Sequence, residues 1–113
     1  MPRRDKIIIQ KIISEINISN KMLNSKKLEE FLKDEMLKRA VSMTVINIGE
    51  LVKNISEETR GEYPDIPWKA IAGMRDLTAH KYQTLRMEDV YETATHDFQE
   101  LKNELVEILN KIP

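Results

Sequence analysis

The chain has 113 residues, 41% hydrophobic and 33% charged, with a net charge of −1, 3 Gly, 4 Pro and no Cys. These values exclude a disulfide framework, a thiolate metal site and the disordered or low-complexity classes, and they suit one domain with a small core. They also exclude a global basic field, so any nucleic acid must be held by a local basic patch or a cleft between subunits.

Few breakers and few aromatics favour helices. The N-terminus is basic, with Arg3, Arg4 and Lys6, and Ile8, Ile9, Ile12, Ile13 and Ile16 then recur at helical spacing. This predicts a first helix from about Arg3 to Met22 with one apolar stripe. Gln10, Lys11 and Glu15 interrupt the stripe too early for a signal segment or a membrane span. A soluble cytoplasmic protein without membrane association is expected. Arg3 and Arg4 could extend an RNA-binding surface, although terminal charges are commonly disordered.

Asn20 and the Asn24-Ser25 pair mark a break, and Ser25 is a credible cap for a short segment over about Lys26–Lys33. A longer helix is predicted from about Asp34 to Asn54. Its broad apolar face (Met36, Leu37, Ala40, Val41, Met43, Ile46, Ile48, Leu51, Val52) suits a central helix, and Gly49 within it suits a close helix approach. Ser56 to Gly61 reads as a short capped turn. Tyr63-Pro64-Asp65-Ile66-Pro67-Trp68 reads as an ordered extended connector. Asp65 as cap and Pro67 in the first turn predict a fourth helix from about Ile66 to Ala79, followed by a loop over Lys81 to Thr84. Trp68 is expected to anchor that helix in the core. The last helix, about Arg86 to Lys111, carries Met87, Tyr91, Ala94, Phe98, Leu101, Leu105 and Ile108 at alternating spacings of four and three. The expected fold is an all-α, up-and-down bundle of four to five helices forming one domain over residues 1–113. The Met residues read as core fillers and His96 as a surface residue.

The chemistry is concentrated in Gly73-Met74-Arg75-Asp76-Leu77-Thr78-Ala79-His80-Lys81-Tyr82. Arg75 is permanently cationic and can hold a phosphate through two parallel hydrogen bonds. His80 titrates near neutrality and can give or take a proton. Asp76 is four residues before His80, so it can orient the imidazole if the helix persists. Arg75 and His80 are five apart and converge only if the helix ends or distorts near Ala79, or if a second subunit completes the pocket. Otherwise Arg75 reads as a surface ion pair with Asp76 or with a Glu on a neighbouring helix, and His80 as a helix C-cap. Lys81 is a candidate RNA contact, and Glu50 a candidate structural partner for Arg75 across the bundle.

Three segments together resemble the HEPN superfamily, specifically its HepT-like group of minimal toxins: Val45 to Glu50, Tyr63 to Trp68, and Gly73 to Tyr82. Their order and separation match the family over nearly the whole chain. The hallmark is Arg, a polar residue, a short spacer and His, followed here by x-Tyr. The polar residue is often Asn in this group and is Asp76 here, which adds repulsion beside a phosphate site. The resemblance implies a helical homodimer with the motif in an interface cleft. It implies an endoribonuclease that needs no metal and no cofactor. It also implies a partner, a minimal nucleotidyltransferase antitoxin that transfers AMP to Tyr82.

Three readings follow. The first is a toxin ribonuclease of a toxin–antitoxin pair, with Arg75 and His80 catalytic, Asp76 in support and Tyr82 the modified residue. The second is a non-catalytic helical module that docks a nucleotidyltransferase and binds nucleotide or nucleic acid through Arg75 and Lys81. The third is a structural dimer with a degenerate site.

Overall fold

The computed structural model describes residues 1–76 and 82–112, with the backbone alone at residues 75 and 76. Among the described residues every regular element is helical. They are α1 (Arg3–Leu23), α2 (Leu28–Lys33), α3 (Glu35–Lys53), α4 (Glu57–Glu62), α5 (Trp68–Ala72), a 3-10 turn (Gly73–Asp76), α6 (Met87–Glu92), a π turn (Thr93–Asp97) and α7 (Phe98–Lys111). None of the described helices is long and apolar enough to cross a membrane.

The periodicity of the isoleucines sets the packing. Ile8, Ile9, Ile12 and Ile16 bury one side of α1, and Val41, Val45, Ile48 and Val52 bury the facing side of α3 at the same spacing. Each such side chain contributes about 1.5–3 kcal/mol on leaving water. α3 packs on α1 and also carries α5 and the 3-10 turn, which makes it the central helix. α7 closes the bundle against α1 with Phe98, Leu101, Leu105 and Ile108. The all-α bundle expected from the sequence is therefore found, and Gly49 is buried within α3.

Several boundaries differ from expectation. Ser25 does not cap α2: Asn24 and Ser25 both adopt positive φ, at 38° and 64°, and turn the chain out of α1. Lys27 precedes α2 instead, and its N–H donates to the Glu30 carboxylate at 3.1 Å. The fourth helix starts two residues later and ends at Ala72, with the backbone tightening to 3-10 over Gly73–Asp76. A five-residue α-helix has too few hydrogen bonds to hold its own end, so packing on α3 decides where it stops. The methionines are core fillers only in part: Met22, Met74 and Met87 pack against the core from its edge, and the others do not. Met36 and Met43 are 84% and 56% exposed, and Met22, Met74 and Met87 are only half-buried. Met36 and Met43 fall on the side of α3 that faces away from α1 and α5.

The last predicted helix is one continuous path with a π turn in its first half. Two side chains bond backbone carbonyls around this turn: Thr95 Oγ1 donates to the Tyr91 carbonyl at 2.8 Å, and Gln99 Nε2 donates to the Ala94 carbonyl at 2.9 Å. Gln99 also exchanges two hydrogen bonds with Asn20, of 2.8 and 3.1 Å, tying the end of α1 to α7. Tyr91 donates its hydroxyl to the Lys26 carbonyl and packs its ring on Phe31, which fixes α2 against α6.

Candidate active site

The Tyr63-to-Trp68 segment sets the start of α5. The Tyr63 carbonyl accepts both the Ile66 N–H, at 3.3 Å, and the Trp68 indole N–H, at 2.9 Å. Pro67, with φ −78° and ψ 66°, is the centre of an inverse γ-turn closed by the Trp68 N–H on the Ile66 carbonyl at 2.8 Å. Its ring already restricts φ to that range, so the turn costs little. Ile66 and Trp68 are buried, and Trp68 anchors α5 as expected. Asp65 does not cap the helix; Pro67 occupies that position without a side-chain bond.

From α5 the chain enters the 3-10 turn, which lies on α3. The backbone of Arg75 and Asp76 belongs to this turn. The side chains of Arg75 and Asp76, and all of residues 77–81 with His80 and Lys81, lie outside the described residues. So do the expected pairings of Asp76 with His80 and of Glu50 with Arg75.

Tyr82 lies against the first half of α3. The Arg39 guanidinium carbon stands 4.7 Å from the centroid of the Tyr82 ring. The Tyr82 hydroxyl is buried and has no hydrogen-bond partner among the described residues. The chain then turns, with the Leu85 N–H on the Tyr82 carbonyl at 3.3 Å, and enters α6. Ser42, three residues beyond Arg39 on α3, donates its hydroxyl to the Met87 sulfur at 3.9 Å. Arg39, Ser42 and Val45 therefore form a track along α3 that receives the chain as it leaves the motif.

A groove of about 160 Å³ runs between α3, the 3-10 turn and α6. Met74 enters it from just before the motif, and Leu85 and Arg86 from just after it. Val45 and Val90 form its apolar floor, with Asp89 and Thr93 at its rim. Among the described residues no group of three or more His, Asp or Glu side chains could hold a metal ion. His96 is exposed and 3.5 Å from Glu100, which agrees with its reading as a surface residue.

Arg39 was invisible as a site residue in the sequence. It follows Glu35 by four positions and bonds it at 3.3 Å, the pattern of an ordinary solvated ion pair on a helix. Only the packing of Tyr82 on α3 brings it to the motif.

Residues 12–108 match the family model described as Ribonuclease HepT-like. The chain belongs to the ribonuclease HepT-like family. A protein of Caldanaerobacter subterraneus subsp. tengcongensis named "Putative RNase" is 35% identical over 91% of this chain and 92% of its own length. A Methanocaldococcus jannaschii protein with the same description is 35% identical over 99% of this chain and 93% of its own length. A Thermococcus cleftensis protein named "Probable ribonuclease HepT" is 30% identical over 90% of this chain and 93% of its own length. No solved structure matches the chain. The HepT-like family agrees with the resemblance carried by the three sequence segments.

Proposed function

We propose that this HepT-like chain is a metal-independent endoribonuclease, the toxin of a toxin–antitoxin pair acting in the cytoplasm. The carrying observation is its membership of a ribonuclease family over residues 12–108, with the Arg75-to-Tyr82 motif inside that span. The ribose 2′-oxygen attacks the adjacent phosphorus and the bond to the 5′-oxygen breaks. This leaves a 2′,3′-cyclic phosphate and a free 5′-hydroxyl. One proton must leave the 2′-oxygen and one must reach the 5′-oxygen. His80 performs one of these transfers, and Arg75 binds the phosphoryl oxygens as charge develops. Asp76 supports the geometry, and Lys81 contacts the strand. A second copy supplies the opposite proton transfer, because one imidazole cannot readily reach both faces of the phosphorus. Met36 and Met43 on α3 and Ile7 and Ile18 on α1 offer the exposed apolar surface that such a homodimer would cover.

Neutralisation follows from Tyr82. A nucleotidyltransferase antitoxin joins the Tyr82 oxygen to the α-phosphorus of ATP and releases pyrophosphate. The adduct adds bulk and negative charge two residues from His80. Because the hydroxyl is buried in this conformation, the ring has to swing outward before transfer.

The test is incubation of purified, unmodified protein with total RNA in EDTA, alongside His80→Ala. Cleavage by the parent alone establishes the chemistry and the role of His80. Equal cleavage by the variant removes His80 from the mechanism. Absence of cleavage by unmodified parent favours the second reading, a binding module for a nucleotidyltransferase, which the extra carboxylate of Asp76 and the net charge of −1 keep in play.

A further inference from the structure

We infer that Arg39 is a phosphate-binding residue of this site, one that positions an RNA strand across Tyr82. The inference rests on the ribonuclease reading for its substrate, and its geometry is independent of that chemistry. The guanidinium stands 4.7 Å from the Tyr82 ring centroid, while the Arg39 side chain stays 57% exposed. The guanidinium therefore lies over the aromatic ring while more than half of the side chain's surface remains open to solvent. A guanidinium has five N–H donors. Among the described residues its hydrogen bonding is limited to one bond, to Glu35 Oε1 at 3.3 Å. Glu35 divides its charge, because its second oxygen is 3.1 Å from Lys38 Nζ. An exposed pair of this kind is weak, and a phosphate can displace it. Stacking on Tyr82 restricts the side chain beforehand, so less freedom is lost when it grips a phosphate.

The placement favours a strand over the AMP adduct as the source of that phosphate. The Tyr82 hydroxyl faces inward, whereas the guanidinium faces solvent. A strand crossing the surface meets Arg39 before it meets the tyrosine oxygen. Tyr82 is two residues from His80 in the chain, so Arg39 serves the same end of the motif.

The experiment measures binding of a fluorescent single-stranded RNA to the full chain in a His80→Ala background, across a salt series, with Arg39→Ala, Arg39→Lys and Glu35→Gln added singly. Arg39→Ala weakens binding roughly tenfold and lowers the salt slope by about one. Arg39→Lys recovers part of the loss, since it keeps the charge and loses the planar fork. Glu35→Gln releases the guanidinium and tightens binding by up to about fivefold. In the active protein Arg39→Ala raises KM with little change in kcat. Parental affinity and salt slope for Arg39→Ala overturn the inference, as does absence of RNA binding by the His80→Ala protein. A parent that cleaves RNA while Arg39→Ala keeps its KM removes Arg39 and leaves the ribonuclease. A parent that does not cleave, with RNA binding weakened by Arg39→Ala, removes the ribonuclease and leaves Arg39.

Discussion

Asp5 and Thr59 are 54 residues apart in the chain, yet the Thr59 hydroxyl donates to Asp5 Oδ2 at 2.5 Å in the interior. Asp5 is 1% exposed, and its carboxylate also accepts the Ser56 N–H at 3.1 Å and the Ser56 hydroxyl at 2.5 Å. The first turn of α1 is thereby clamped to the start of α4. Arg60 completes the corner by donating to the carbonyls of Val52 and Lys53 at the end of α3 and of Ile55 just beyond it. Asp5→Ala removes the acceptor of one buried and two part-buried donors and is expected to destabilise the fold by about 2–4 kcal/mol. Urea denaturation measures it, and a change below the error of the fit would show that the clamp carries no stability.

The same residue gives an acid dependence. Burial pushes the Asp5 carboxyl upward, but the bonds from Ser56 and Thr59 and the nearby charge of Arg4 outweigh it, and the net shift is downward from 3.8. A folded-state pKa below the unfolded one makes the contribution complete above the unfolded value. That contribution is lost as pH falls through the folded value. Stability should therefore decline below about pH 4. Asp5→Asn should flatten this limb in melting curves recorded between pH 2 and 7.

Glu104 works in the opposite sense. Burial, aided by Glu100, Asp65 and Glu107, raises its pKa above 4.5. The protonated form is then favoured in the fold, so stability is present below the unfolded pKa and is lost as pH rises through the folded one. Glu104→Gln should raise neutral-pH stability by up to about 1 kcal/mol, and by less in high salt. A lower melting temperature at pH 7 would contradict this.

Tyr82→Phe separates modification from packing. The hydroxyl has no partner among the described residues, so its removal should leave stability unchanged or raise it by about 1 kcal/mol. The ring and the Arg39 stack persist, and RNA cleavage should persist with them. Intact-mass analysis after treatment with a nucleotidyltransferase and ATP should show adduct on the parent and none on the variant. Adduct on the variant would move the modified residue elsewhere.

Phe98→Ala tests the core. Phe98 is 1% exposed beside the π turn and α1, and its truncation should cost about 3–5 kcal/mol. A cost under about 1 kcal/mol would mean that the π turn relaxes to refill the space.

What the sequence alone determined was local. Ile8, Ile9, Ile12 and Ile16, and likewise Phe98, Leu101, Leu105 and Ile108, face the core because a helix repeats every 3.6 residues whatever it packs on. Ser56 reads as a cap for the same reason, since its acceptor role toward the Thr59 N–H lies within one turn. The three family segments were legible too, as runs of neighbouring residues in a set order. Tertiary structure decided which charges and methionines lie where. Asp5 looked like one more charge in a basic N-terminus until α4 arrived beside it, and Arg39 like a surface ion pair until Tyr82 packed on it. Met36 and Met43 belonged to a broad apolar face whose outer edge no helix covers among the described residues. The end of α5 at Ala72 belongs with these, because five residues cannot set their own boundary and the packing on α3 sets it for them.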